Sequence, residues 1–103
     1  MKPDFVQHKY YVYIMASRPN GTLYIGVTNK IGRRAFQHKT NQNQKRFTAR
    51  YNIRTLVYIE IYDYIESAIA REKQLKSWPR KNKIKLIESM NPDWDDMFDY
   101  LMC

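Results

Sequence analysis

Three consecutive stretches decide the fold of this chain: Tyr10-Tyr11-Val12-Tyr13-Ile14-Met15-Ala16, then Ser17-Arg18-Pro19-Asn20-Gly21, then Thr22-Leu23-Tyr24-Ile25-Gly26-Val27. The first is β-branched and aromatic, the composition of a strand. The second is turn chemistry, because Pro presets φ and Asn and Gly tolerate left-handed backbone. The third is again strand-like, so the three together predict a hairpin. A period of two puts Tyr11, Tyr13 and Met15 on one face of the first strand, with Val12 and Ile14 on the other. In the second strand, Tyr24 and Gly26 share a face opposite Leu23, Ile25 and Val27. One side of the hairpin is therefore aliphatic and the other carries tyrosines.

Working outward, Thr28 or Asn29 caps a predicted helix that runs to about Lys39. Residues 40–52 are polar and basic, with Phe47 and Tyr51 as aromatic islands, and read as a loop. Thr55 to Tyr62 is a third strand. Asp63 is expected to cap a helix from Tyr64 to about Ser77, which Pro79 breaks. A further helix spans about Arg80 to Met90, with Ile84 and Ile87 on one side, and ends at Asn91-Pro92. Trp94, Met97, Phe98 and Leu101 then recur at helical spacing, which predicts a short docking helix. The expectation is an α+β fold, a three-stranded antiparallel β-sheet with packed helices. Residues 1–103 form one domain, with a core over about 9–90 and the docking helix over about 92–101.

Composition narrows the function. The chain has 103 residues, 44% of them apolar, enough for one core. No apolar run approaches the length of a membrane span, about 18 residues. The N-terminus lacks the apolar stretch of a secretory signal. Cys103 is the sole cysteine, which excludes an intrachain disulfide and a cysteine-based zinc site. A cytoplasmic protein follows, with no obligate protein partner evident. The net charge is +8, and it is unevenly spread: no Asp or Glu occurs between Phe5 and Ile59. That stretch carries Lys9, Arg18, Lys30, Arg33, Arg34, Lys39, Lys45, Arg46, Arg50 and Arg54. A second basic cluster is Arg80, Lys81, Lys83 and Lys85, while Asp93, Asp95, Asp96 and Asp99 gather near the C-terminus. Such a field favours a polyanion, and nucleic acid is the commonest one. Lys39, Lys45, Arg46 and Arg50 interleave with Phe47 and Tyr51, a mixture suited to phosphate contact and base stacking.

Helical geometry then singles out polar residues in apolar places. In the first helix, Ile31 and Ala35 define the apolar side. Arg34 and His38, four residues apart, lie at its edge, and Arg33 points elsewhere. In the next helix, Ile65, Ala68, Ile69 and Leu75 form the apolar stripe, and Glu72 falls inside it. Desolvating an unpaired carboxylate costs several kcal/mol, so Glu72 must be paired, metal-bound or at the lip of a cleft. An ion pair with Arg34 or a lysine satisfies this as well as a metal does.

These residues match a family pattern. Tyr11-Val12-Tyr13, followed after ten residues by Tyr24-Ile25-Gly26, resembles the paired motif of the GIY-YIG endonuclease superfamily. Arg34, eight positions after Gly26, stands where that family keeps its essential arginine, and His38 matches a common family histidine. Glu72, within Ala70-Arg71-Glu72-Lys73, stands where the family keeps its metal-binding glutamate. The resemblance runs from about Lys9 to Asp96. It is nearest to the small single-domain bacterial members related to the N-terminal nuclease domain of a bacterial excinuclease. It implies a metal-dependent endonuclease hydrolysing phosphodiester bonds in DNA, with a role in DNA repair or recombination. RNA remains open as a partner beside DNA. The implied roles are catalysis for Tyr13, Tyr24, Arg34 and His38, and Mg²⁺ or Mn²⁺ binding for Glu72. The departures are Tyr11 in place of the first motif's glycine, Val27 where some members carry lysine, and no clear counterpart of a late asparagine. They keep an alternative in view, a catalytically weak nucleic-acid-binding module on the same fold.

Overall fold

Tyr10–Ala16 forms β1, Leu23–Thr28 forms β2 and Thr55–Tyr62 forms β3, in a computed structural model that describes residues 9–33 and 52–98. The three strands make one antiparallel sheet in the order β2-β1-β3. β1 is thus paired along both edges, as its β-branched and aromatic composition suits. The turn between β1 and β2 is closed by Ser17 and Thr22. The Ser17 N–H donates to the Thr22 carbonyl and the Thr22 N–H to Ser17 Oγ, each at 3.0 Å. Asn20 takes the left-handed conformation there, with φ 58°. Because Thr22 is used in the turn, β2 starts one residue later than the composition predicts.

The α1 helix (Ile65–Ser77) and the α2 helix (Arg80–Met90) cover one face of the sheet. Ala68 and Leu75 of α1 and Ile87 of α2 are buried against Val12, Ile14, Ala16 and Ile25. Pro79 separates the helices as expected. Asp63 does not cap α1, however. The N-cap is Tyr64, without a side-chain cap, and Asp63 instead accepts a hydrogen bond from the Lys9 ammonium. The helix starts one residue too late for Asp63, whose carboxylate reaches the cation at the head of β1. Ile69 also departs from the predicted apolar stripe and is 39% exposed. The opposite face is covered by Ile31, Ile53, Met97 and Phe98, packed on Tyr11, Tyr13, Met15, Tyr24, Leu56 and Ile59.

β3 carries a one-residue bulge. Ile14 pairs with Tyr58 and Met15 with Leu56, so Val57 is extra. Bulging sends Tyr58, Glu60 and Tyr62 to the helix face while Leu56 turns to the other. The C-terminal segment locks this irregular stretch. Asn91, itself buried, donates through Nδ2 to the Val57 carbonyl at 3.1 Å and the Asp95 carbonyl at 2.8 Å. Its Oδ1 accepts from the Asp95 N–H at 3.0 Å. Leu56 donates its N–H to Asp96 Oδ1 and accepts from the Met97 N–H at 2.7 Å. Trp94 is not helical. Its φ is 59°, its indole N–H donates to Glu88 and its ring joins the helix-side core, whereas Met97 and Phe98 pack on the other face. The expected docking helix therefore does not begin at Trp94, and Leu101 lies outside the described residues. No helix among the described residues is long and apolar enough to cross a membrane.

The Asn91 latch sets a stability expectation. Asn91→Ala leaves the Val57 carbonyl and the Asp95 backbone without partners in a buried place. Unfolding free energy should fall by about 2–3 kcal/mol, read as a lower urea midpoint at unchanged slope. A midpoint equal to that of the parent would show that the latch contributes nothing.

Candidate functional site

Tyr13 and Tyr24 stand on the face away from α1 and α2. The β1–β2 register pairs Tyr13 with Gly26 and Met15 with Tyr24, so the two motif strands set their aromatic residues side by side. The ring centroids of Tyr13 and Tyr24 are 6.3 Å apart, and the planes are tilted by 44°. Tyr13 is 2% exposed and its phenol lies across Gly26. A Cβ on Gly26 would sit 2.5 Å from the Tyr13 hydroxyl and 2.6 Å from Cζ. This glycine is required by close approach, since its φ is not positive. Tyr24 is half-buried at the rim of the same cluster.

After β2, the Thr28 hydroxyl accepts from the Lys30 N–H at 3.0 Å and the backbone turns helical at 31–33. Ile31 is buried on the tyrosine face and Arg33 is exposed, in agreement with the predicted apolar side. Arg34 and His38, together with Lys39, Lys45, Arg46 and Arg50, lie outside the described residues. So do Ala35, Phe47 and Tyr51.

Glu72 is placed by helix geometry. On α1, residues 71 and 72 are about 100° apart and flank the buried Ala68–Leu75 stripe on opposite sides. Arg71 turns to β3, where its guanidinium grips Glu60. Glu72 therefore leans the other way, toward β2, the outer strand that carries Tyr24 and Gly26. Tyr24 and Glu72 belong to opposite faces of the sheet, and β2 is its outer strand among the described residues. The Glu72 side chain is 20% exposed, and its Oε2 lies 3.1 Å from the ammonium of Lys76, itself 56% exposed. Among the described residues no group of three or more His, Cys, Asp or Glu side chains could hold a metal by itself. A single accessible carboxylate oxygen fits a hard cation whose other ligands are waters and substrate phosphate, as Mg²⁺ prefers.

A second partly buried carboxylate, Glu60, was not singled out from the sequence. Tyr58 and Tyr62 donate their hydroxyls to it at 2.5 and 2.7 Å, and Arg71 donates through Nε and Nη2, both at 2.9 Å. Burial pushes the Glu60 carboxyl up, but the hydrogen bonds from Arg71, Tyr58 and Tyr62 and the charge of Arg71 outweigh it and hold the carboxyl below 4.5. Burial and the bond to Glu60 push the Tyr58 phenol well above its ordinary value. Arg71 also donates to Gln74 and lies 5.1 Å from the centre of the Trp78 ring. A period of two in Tyr58-Ile59-Glu60-Ile61-Tyr62 was the signal for this cluster. The arginine that completes it sits 11 residues on, in another element.

Comparisons with known proteins point the same way. A family model described as the GIY-YIG catalytic domain matches residues 9–85. The UPF0213 protein of Staphylococcus saprophyticus is 35% identical over 79 residues, covering 77% of this chain and 94% of that protein. The UPF0213 protein of Haloquadratum walsbyi is 33% identical over 79 residues, covering 77% and 86%. Among solved structures, the solution NMR structure of a UPF0213 protein from Bacillus halodurans aligns with a TM-score of 0.53 at 26% identity, covering 86% of this chain and 93% of that one. That likeness extends to the three-stranded sheet with packed helices.

Two outcomes follow from this geometry. Gly26→Ala should force the buried Tyr13 ring aside at a cost of about 1–3 kcal/mol, and the Tyr13 and Tyr24 ring resonances should shift together. Unshifted rings would place Tyr13 elsewhere. Glu60, with its carboxyl depressed in the fold, contributes stability that is complete above its unfolded value near 4.5 and is lost as pH falls through the lower native value. Glu60→Gln should cost about 2–4 kcal/mol at pH 7 and flatten the stability–pH curve below about pH 4.5. Parallel curves for parent and variant would remove Glu60 from the acid-labile groups.

Proposed function

The chain belongs to the GIY-YIG family, a nuclease family, and from that membership we propose a metal-dependent endonuclease that hydrolyses phosphodiester bonds in DNA, serving repair or recombination. The observation that carries the proposal is the contact of the two motif strands: the Tyr13 phenol lies over Gly26 beside Tyr24. The glycine lets the two motif strands bring their phenols together on one face. A pair of phenols held at a fixed spacing on one face of the hairpin supports a role in positioning a substrate.

In this reading a water attacks the phosphorus, the bond to the leaving oxygen breaks, and that oxygen takes up a proton. The family resemblance implies 5′-phosphate and 3′-hydroxyl ends. Tyr24 helps to deprotonate the water. A phenol with a pKa near 10 needs a cationic neighbour for that role; the planar fork of Arg34 would hold a nonbridging phosphate oxygen. Tyr13 and His38 orient water and phosphate. Glu72 holds Mg²⁺ or Mn²⁺, which when bound supplies positive charge against the developing negative charge on the phosphate. Lys39, Lys45, Arg46 and Arg50 track the strand, with Phe47 and Tyr51 available for stacking. The Glu72–Lys76 pair favours the second reading, a nucleic-acid-binding module of weak activity in which Glu72 only braces α1.

Glu72→Gln separates the two. A helical pair at this spacing, with its lysine more than half in water, contributes about 0.5 kcal/mol. The variant should then melt within about 4 °C of the parent in EDTA. It should still bind DNA but lose cleavage in Mg²⁺ by about 100-fold or more. Cleavage equal to that of the parent would remove Glu72 from the metal site, and a parent that binds DNA without cleaving it in Mg²⁺ would leave the binding module.

A further inference from the structure

The basic cluster that opens α2 has no part in the site around Tyr24. It meets the tip of the β1–β2 hairpin instead. Arg80 donates through Nη2 to the Asn20 carbonyl at 2.7 Å and the Gly21 carbonyl at 2.5 Å, tying the start of α2 to the turn. The two elements enclose an open cavity of about 450 Å³ lined by Arg18, Arg80, Lys83 and the turn residues. Among the described residues no carboxylate lines it. Arg18 and Lys83 have no acidic partner among the described residues. The first turn of α2 holds no acidic residue, so the positive end of the helix dipole adds to these cations instead of offsetting them. Three like charges around one hollow repel each other, and an anion seated between them relieves that repulsion.

The cavity wall continues into β2. Leu23 lines the hollow and Tyr24 is the next residue. At about 3.3 Å per residue, Gly21 lies roughly 10 Å from Tyr24 and roughly 17 Å from Gly26 along the strand. A nucleic-acid backbone advances about 3.4 Å per nucleotide along a duplex axis, so this span equals about three to five nucleotide steps. We propose that the hollow between the hairpin tip and the start of α2 is a second phosphate-binding site for the nucleic-acid substrate. Arg18 and Lys83 contact the backbone there, about three to five nucleotides from the phosphate held near Tyr24. Arg80 is a positioning residue that fixes the hairpin tip. The proposal rests on the nucleic-acid reading above and adds to it a site apart from the reacting bond.

The test is a fluorescence-anisotropy titration of the full chain with a 20-base-pair duplex over a series of salt concentrations in EDTA. The Arg18→Ala/Lys83→Ala double variant is run beside the parent. Removing one phosphate neutralisation should lower the log–log salt slope by about 0.9, so a drop between about 0.9 and 1.8 is expected. The charge-preserving Arg18→Lys should restore part of it when paired with Lys83→Ala. A double variant with the slope of the parent overturns the site. A parent that binds DNA but never cleaves it in Mg²⁺ defeats the nuclease reading, and a fall in slope still supports this site. A parent that binds neither duplex nor single strand overturns both. If inorganic phosphate perturbs the Gly21 and Lys83 amide resonances as strongly as the duplex does at equal phosphate concentration, the hollow takes a free anion and the assignment to a backbone is overturned.

Discussion

The double pairing of β1 is the constraint on which everything else in this molecule depends. A strand hydrogen-bonded on both edges and covered on both faces exposes little, and Val12, Ile14, Met15 and Ala16 are each 0% exposed. Its alternation therefore has to serve two interiors at once. Val12, Ile14 and Ala16 feed the core beneath α1 and α2, while Tyr13 and Met15 feed the smaller cluster on the other side. A slip of one residue would send the aliphatic side to the tyrosine cluster and the phenol of Tyr13 into the helix-side core. The close approach of Tyr13 to Gly26 exists only in the register observed. Core and candidate chemistry are thus fixed by the same ladder of hydrogen bonds.

The bulge at Val57 follows from the same demand. Val57 and Tyr58 are consecutive yet both join the helix-side core, while Leu56 joins the other, which strict alternation would not allow. Inserting Val57 puts Leu56 with Met15 and Tyr58 with Ile14, so each finds an interior of its own type. The backbone groups disturbed at the bulge are met by Asn91, Asp96 and Met97. The left-handed Trp94 is held within this latch by hydrogen bonds from its backbone N–H to Asn91 and from its indole to Glu88. The segment after α2 is therefore a clamp on β3 more than an appendage.

Local chemistry made most of the elements legible. Strand composition, the Pro-Asn-Gly turn, Pro79 and the span Arg80–Met90 rest on neighbours in sequence, and these readings agree with the structure. What escaped needed distant partners. Asp63 looked like a cap because the position suits one, but Lys9, 54 residues away, competes for its carboxylate. Trp94, Met97 and Phe98 share helical spacing yet serve two different interiors, which periodicity cannot reveal. The Glu60 cluster showed half its pattern in β3 and hid the rest in α1. Of the candidate site, Tyr13, Tyr24 and Gly26 were legible because alternation on a paired hairpin is the most deterministic rule available to a short chain.

The two partly buried carboxylates on the helix side show how neighbouring chemistry assigns different work. Each oxygen of Glu60 already accepts two hydrogen bonds, one from a tyrosine hydroxyl and one from Arg71. A cation approaching it would have to displace a bidentate guanidinium and two phenols, and burial adds to that cost. Glu72 offers the contrary case, with one lysine whose ammonium is more than half exposed and can move into water with little loss. Arg71 is what separates them. By binding Glu60 it fixes the rotation of α1, and that rotation aims the next residue at the outer strand of the sheet. A saturated carboxylate on the β3 side thus holds a labile one on the β2 side in place. Of the two, the labile one is the carboxylate able to exchange its partner for the cation of the proposed reaction.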